Sequence, residues 1–454
     1  MQIYRITEIK KEIDKIMDEK PEVCLTGWVR TNRDSGKIGF IELNDGSDVE
    51  GIQVVYKKEF TKHFDEAKLA RTGAAVQVKG NINFNQKMNA YELVATTYEM
   101  LKQADEDYPL QKKQHTMEFL RDIAHLRART RTMQAMMNVR NRLMYAIHNF
   151  FQARDFKWVA TPLITSNDCE GAGESFFIQQ DKDKPFFTPQ ATLTVSGQLN
   201  AEAYAQSFGR VYTFGPTFRA DWSHTNRHLA EFWMIEPEIA FCTLPELMDF
   251  IESFIKNVCK DVLVHCKDSI DFFAKEKPEI ITRLKDLIAK DFVKLEYRKA
   301  IDVLKEAVAK GHKFEDSEIF FGKDLASEHE RYICEKVYNC PVFVFNYPKV
   351  IKAFYMKQNE DNETVAASDL LVPGVGEIVG GSQREDSYEK IMNRVKELNM
   401  DVSGIQWYID LRKYGYHSSS GFGLGFERLV MYILGMDNVR DCIPFPRYQG
   451  KLSF

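Results

Sequence analysis

The sequence predicts an α+β protein with at least two folded parts, on three observations. Residues 23–100 read as period-two strands separated by Asn, Asp and Gly turns. Residues 210–241 read as two strands joined by a polar, charged loop, and Gly421–Leu434 as a glycine-rich strand running into an apolar helix. A chain of 454 residues has room for two or three cores.

The chain begins with Ile3, Ile6, Ile9, Ile13, Ile16 and Met17 spaced among charges, a short amphipathic helix that Pro21 ends. Strands are expected over 23–30, 38–43, 51–56, 74–80 and 91–95, with a helix-like segment over 57–71. Five short strands and one helix suit an OB-fold β-barrel, which carries single-stranded nucleic acid on one face. On that face Phe40 suits base stacking, Arg30 and Arg33 suit phosphates, and Gln53 suits a base edge. The barrel domain is placed at 1–103, and the polar, Lys/Arg-rich stretch 104–131 as a hinge.

The larger domain, 132–454, opens with a helix in which Met136, Val139, Leu143, Ile147 and Phe150 recur at helical spacing. A strand from Phe156 with Pro162 beyond it follows. Residues 245–336 read as amphipathic helices rich in Lys and Glu, an insertion with no chemistry of its own. Strands are then expected at 341–346, 354–357, 364–372 and 376–384, and helices at 388–399 and 405–413.

Composition excludes several classes. Charged residues make up 28% of the chain and the net charge is −5. No apolar run approaches the ~18 residues of a membrane span. Met1-Gln-Ile-Tyr-Arg-Ile lacks the apolar core and cleavage site of a signal peptide, so a cytoplasmic protein is expected. Mild acidity does not exclude RNA, because a local basic face suffices. The eight cysteines contain no Cys-x-x-Cys, and their surroundings favour buried, reduced thiols over a zinc site.

The chemistry concentrates in Phe218–Phe232. Arg219 and Arg227 suit a polyphosphate because guanidinium binds phosphate oxygens in a fork. Arg428, at the start of the helix after the glycine strand, adds positive charge where the backbone lets a ligand approach closely. The two stretches together resemble motifs 2 and 3 of class II aminoacyl-tRNA synthetases. Arg219-Ala-Asp…Thr225-Asn-Arg-His-Leu-Ala-Glu-Phe-Trp-Met-Ile-Glu-Pro-Glu, with Asp437-Asn-Val-Arg-Asp-Cys-Ile-Pro-Phe-Pro-Arg447, resembles the asparaginyl branch of the aspartyl/asparaginyl/lysyl subgroup. The helix, strand and Pro162 resemble motif 1, the dimer interface of that class.

The resemblance implies an antiparallel β-sheet flanked by helices with a helical insertion at about 245–336. It also implies a homodimer through the motif 1 helix, and no membrane. The implied reaction is ATP-dependent activation of L-asparagine, releasing pyrophosphate, and transfer to the 3′ end of tRNA(Asn). Arg219 would bridge the α-phosphate and the substrate carboxylate, and Arg227 and Arg428 would hold the γ-phosphate. Phe232 would lie under adenine and His228 beside the phosphates. Asp221 takes the adenine-contacting position where most of the family has glutamate. Mg2+ would be held by Asp369 and Glu377, Glu377 also serving ATP, with Gly380 where some relatives have serine. Gly27-Trp-Val-Arg…Arg33…Phe40…Gln53 resembles the subgroup's anticodon-binding frame, in which residues matching Phe40, Arg33 and Gln53 contact the central uridine and its neighbours.

Substrate choice turns on Ser196-Gly-Gln-Leu-Asn-Ala201-Glu202. Aspartyl enzymes have a lysine at the position of Ala201, neutralising the substrate's carboxylate. A buried carboxylate without a cation is costly, whereas a carboxamide needs only matched donors and acceptors, which favours asparagine. Arg384 would donate to the amide oxygen. Glu170, Gln198 and Glu236 are candidates to accept from the amide nitrogen or hold the α-ammonium, their division left open. Three rivals remain: an aspartyl enzyme of relaxed specificity, an asparagine synthetase on the same core, and an RNA-binding relative with a dead site. Ala201, the OB domain and the retained arginines speak against them in turn.

Overall fold

The computed structural model describes residues 3–166, 175–179, 181, 184, 186–222 and 225–454. The chain divides into two compact units, Met1–Ala135 and Met136–Phe454.

In the first unit five strands, Val23–Asp34, Ile38–Asn44, Ile52–Lys57, Ala75–Asn85 and Ala90–Lys102, close a barrel. The ring is antiparallel except where Gln53–Val55 run parallel to Glu92–Val94, and Val23–Trp28 complete it against Ala75–Gly80. Alternate side chains, Leu25, Ile41, Leu43, Val54, Val76, Val78 and Leu93 among them, fill one core. The strands overrun two predicted turns: Asn32–Asp34 pair with Gly39–Ile41, and Asn83–Asn85 pair with Ala90–Glu92. Backbone groups make the ladder, so polar side chains at these barrel ends do not stop it.

Two expectations for this unit are corrected, and a third segment carries more secondary structure than its polar composition indicates. The N-terminal helix is two helices, Ile6–Lys11 and Ile13–Glu19, broken at Glu12, and Ile3 instead pairs with Cys24. The 57–71 helix shrinks to Phe64–Leu69, because His63 before it is left-handed at φ 64. The stretch 104–131 carries short helices Met117–Asp122 and Ala124–Arg127, with Leu120 and Ala124 buried.

The second unit is built on an eight-stranded sheet. Its strand order is Val293–Glu296, Val342–Pro348, Thr364–Val372, Gly376–Gln383, Ser419–Gly425, Glu231–Ala240, Arg210–Phe218 and Lys157–Trp158. Only the pairings at its two edges are parallel. Residues 210–240 form the expected hairpin, Arg210 opposite Ile239 and Phe218 opposite Glu231. The helical stretch after Ala240 opens with Leu244–His265, capped by Thr243 and Glu246, and buries Leu247, Ile251, Phe254, Ile255, Val258 and Val262. It is not purely helical, since Val293–Glu296 is the sheet's edge strand. The strand expected at 354–357 does not form either. Phe354 and Tyr355 join an apolar cluster with Ile391, Tyr408 and Ile409, and only Met356 bridges to Arg384.

No helix among the described residues is long and apolar enough to cross a membrane. The described cysteines are free and mostly buried, and burial pushes the Cys259 thiol up to about 12. Cys169 lies outside the described residues.

Candidate active site

A cavity of about 450 Å³ opens in the second unit, at the end of the hairpin. Phe232, Met234 and Glu236 line it from one strand, as a period of two requires. Arg219 stands just past the opposite strand, its backbone N–H donating to the Ala230 carbonyl at 3.0 Å, and its guanidinium lies over the Phe232 ring at 5.4 Å. Asp221, Arg227, His228, Gln198, Asp369, Glu377, Arg384 and Arg428 complete the wall. Every nominated catalytic-domain residue that is described therefore faces one space. Glu170 lies outside the described residues.

At one end, cations and carboxylates meet. Arg428 Nη1 is 3.4 Å from the Glu377 carbonyl and 3.5 Å from its Oε2. Arg227 donates to Ser327 Oγ at 2.8 Å and to the Val375 carbonyl, with Glu330 at 3.9 Å. Burial lowers the Arg227 pKa, opposed by Glu330. Burial and then Arg428 lower that of His228 below the usual 6.5, so the imidazole is neutral at pH 7. Asp369 accepts from Lys352 Nζ at 2.6 Å. Burial pushes its carboxyl up to about 6 against the pull of that lysine. A methyl group added at Gly380 would sit 3.3 Å from Glu377 Oε1 and 3.4 Å from Asp369 Oδ1, so these oxygens converge over open backbone. Two hard carboxylate donors beside an arginine-lined wall fit Mg2+.

At the other end the groups are neutral or paired. Glu236 accepts from Ser196 Oγ and, at 3.0 Å, from the Gly197 N–H. Gln198, at the start of the Gln198–Phe208 helix, keeps a buried amide nitrogen with no partner among the described residues. Arg384 is bound to Glu238 through Nε at 3.1 Å and Nη2 at 2.5 Å, and to Ser382 Oγ through Nη1 at 2.8 Å. Behind it, Glu202 accepts from Arg412 at 2.8 Å, Tyr408 at 2.7 Å and Tyr416 at 2.6 Å. Gly421 faces the Glu238 carboxylate so closely that a Cβ would collide with it, so this glycine of the motif makes room for a side chain.

Ala201 does not line the cavity; it is fully buried with Ala205, Val211 and Val159. The wall of this helix is Gln198. The sequence reading also missed Glu238, Lys352 and Glu330. Glu238 had a usable signal, because it follows Glu236 by one strand period.

In the barrel, Arg33 pairs with Phe40, and Glu42 pairs with both Thr31 and Gln53. Phe40, Arg33 and Gln53 therefore share one face, with Arg33 exposed. Gln53 donates to Glu92 at 3.1 Å. Arg30 does not join them. The register shifts between Val29 and Thr31, and Arg30 turns to the Val49 carbonyl at 2.7 Å, Gln134, and Glu42 at 3.8 Å. Burial lowers its pKa to about 10, and two of its N–H groups are engaged inside the unit.

The family description "tRNA synthetases class II (D, K and N)" matches residues 116–449, and "OB-fold nucleic acid binding domain" matches residues 23–101. An asparagine–tRNA ligase of Malacoplasma penetrans is 54% identical over 447 residues, covering 98% of this chain and 99% of that protein. The crystal structure of asparaginyl-tRNA synthetase from Pyrococcus horikoshii complexed with asparaginyl-adenylate superposes with a TM-score of 0.88 at 34% identity, covering 100% of this chain and 99% of that one. The Entamoeba histolytica asparaginyl-tRNA synthetase in complex with asparaginyl-adenylate gives 0.84 at 27% identity, covering 95% and 96%.

Proposed function

The chain belongs to the class II tRNA synthetases of the D, K and N type and, within them, to the asparagine–tRNA ligases, and from that premise we propose how its cavity divides the work. The protein activates L-asparagine with ATP and transfers it to tRNA(Asn). An oxygen of the asparagine carboxylate attacks the α-phosphorus, the bond to the β-phosphate oxygen breaks, and pyrophosphate leaves. The tRNA 3′-hydroxyl then attacks the adenylate carbonyl and AMP leaves. Neither step needs a covalent protein nucleophile, so catalysis rests on positioning and charge neutralisation.

Arg219, over Phe232, neutralises the α-phosphate and the attacking carboxylate. Phe232 stacks beneath adenine, and Asp221 approaches the base by its backbone or through water. Arg227, Arg428 and His228 bind the outer phosphates. Asp369 and Glu377 hold Mg2+, which supplies further neutralisation of the polyphosphate. Arg384 has used three of its five N–H groups, and those remaining donate to the asparagine amide oxygen. Gln198 and Glu236 hold the polar remainder of the substrate, together with Glu170. In the barrel Phe40, Arg33 and Gln53 read the anticodon. Residues 1–103 thus serve recognition, 104–131 linkage and 132–454 chemistry, in the cytoplasm where translation uses the product.

The observation that carries this reading is the convergence of four arginines, the Asp369 and Glu377 carboxylates and the Gln198 amide, unpartnered among the described residues, on one cavity. Pyrophosphate exchange with ATP and Mg2+, supplied with asparagine or aspartate separately, tests it. Exchange with asparagine alone is expected, and exchange with aspartate would refute the side-chain assignment. A homodimer through the Arg131–Gln152 helix fits the exposure of Tyr145 (59%) on that helix and of Trp158 (51%) on the edge strand. Sedimentation of Tyr145→Glu, expected to shift toward monomer, checks it.

A further inference from the structure

The helical insertion reaches the phosphate end of the cavity through one short helix, Ser327–Arg331. Its Glu330, with a side chain 14% exposed, accepts the backbone N–H of Glu377 at 3.1 Å and stands 3.9 Å from Arg227 Nη1. Ser327, one turn earlier, accepts from the same Arg227 nitrogen at 2.8 Å. The geometry is tight at Gly376, where φ is +85°. A Cβ there would lie 2.5 Å from Glu330 Oε2 and 3.4 Å from both terminal nitrogens of Arg227. Only glycine lets the carboxylate and the guanidinium close on the strand start together. A second tie comes from the neighbouring turn, where Glu335 accepts the Gly374 N–H at 2.8 Å and pairs with Arg331 at 2.9 Å.

We propose that Glu330, assisted by Ser327, is a positioning residue for the ATP polyphosphate, fixing the Arg227 guanidinium against the Glu377 backbone so that the insertion shapes the phosphate end of the site. This rests on the reading of Arg227 as a γ-phosphate ligand. A long arginine side chain left free would lose rotamer entropy on every encounter with ATP, and a carboxylate placed behind it removes that cost beforehand. Glu330 does not itself line the cavity, so its influence reaches ATP only through Arg227 and the Glu377 backbone, at the phosphates beyond the α position.

The test compares Glu330→Ala, Glu330→Gln and Arg227→Ala by pyrophosphate exchange and by AMP inhibition, with thermal melting confirming that each variant folds. Glu330→Ala is expected to raise the KM for ATP roughly tenfold while the KM for asparagine and inhibition by AMP, which lacks the outer phosphates, stay within about twofold. Glu330→Gln keeps an acceptor for the Glu377 N–H and should fall between. Equal changes in the ATP, asparagine and AMP constants would mean general distortion and overturn the proposal. So would an unchanged KM for ATP in Glu330→Ala while Arg227→Ala raises it. If Arg227→Ala itself leaves the KM for ATP unchanged, the γ-phosphate reading of Arg227 fails first and takes the proposal with it.

Discussion

Glu238→Gln is the substitution whose consequence follows most directly from the geometry. Arg384 and Glu238 are bonded in two places, with side chains 3% and 0% exposed. Burial pushes the Glu238 carboxyl up to about 7, opposed by the guanidinium it binds. Glutamine preserves the shape but offers one acceptor and turns its NH2 toward another donor. Removing one partner of a buried pair costs about 3–5 kcal/mol, because the remaining charge is left uncompensated. Glu202 retains part of that compensation at 3.9 Å from Arg384, although Arg412, Tyr408 and Tyr416 already engage it. A loss of about 2–4 kcal/mol is therefore expected, read from the urea midpoint at unchanged slope. Because Arg384 lines the cavity and is the residue proposed to hold the asparagine amide, the KM for asparagine should rise more than that for ATP. A variant as stable as the parent, with an unchanged KM for asparagine, would refute the idea that Glu238 holds Arg384 in place.

Three further outcomes are expected. Phe40→Ala should weaken tRNA charging by about 1–3 kcal/mol, the value of one stacked base, while pyrophosphate exchange stays near normal; equal losses in both would break the division between recognition and chemistry. His228 is held neutral by burial and by Arg428, so its contribution to stability is present above the unfolded value of about 6.5 and is lost as pH falls through the lower folded value. Bound phosphates reverse that field, so the KM for ATP should fall as pH drops from about 7 to 6, and His228→Gln should flatten the profile. Asp369→Asn should raise the Mg2+ concentration for half-maximal exchange at least about tenfold, since even outer partners of a metal ligand carry that much; an unchanged requirement would remove Asp369 from the metal site.

Much of this protein was legible locally. The barrel strands, the hairpin and the glycine strand follow from side-chain period and turn chemistry, which act within a few residues. The same locality placed Arg219, Arg227, His228, Phe232 and Arg428, because a hairpin end and a strand-to-helix junction deliver their side chains to one edge of a sheet. It failed where alternation was interrupted. The register shift after Val29 turned Arg30 inward, and a strand expected at 354–357 became an apolar cluster because Phe354 and Tyr355 found Tyr408 and Ile409.

What the sequence by itself determined is most of the elements and the side-chain chemistry each carries: arginines at a hairpin end and a strand-to-helix junction, hard carboxylates, and a barrel face bearing Arg33, Phe40 and Gln53. What only the tertiary structure decided is which of these groups compensate one another. Arg384 meets Glu238 because antiparallel pairing aligns Ser382 with Gly421 and Gly421 with Glu238. Lys352 meets Asp369, and Glu330 from the insertion meets Arg227 across about a hundred residues of chain. A segment's pattern records which of its faces is buried but not which distant side chain lies against that face. Sheet register and helix docking fix that partner, and with it the charge balance on which the site depends.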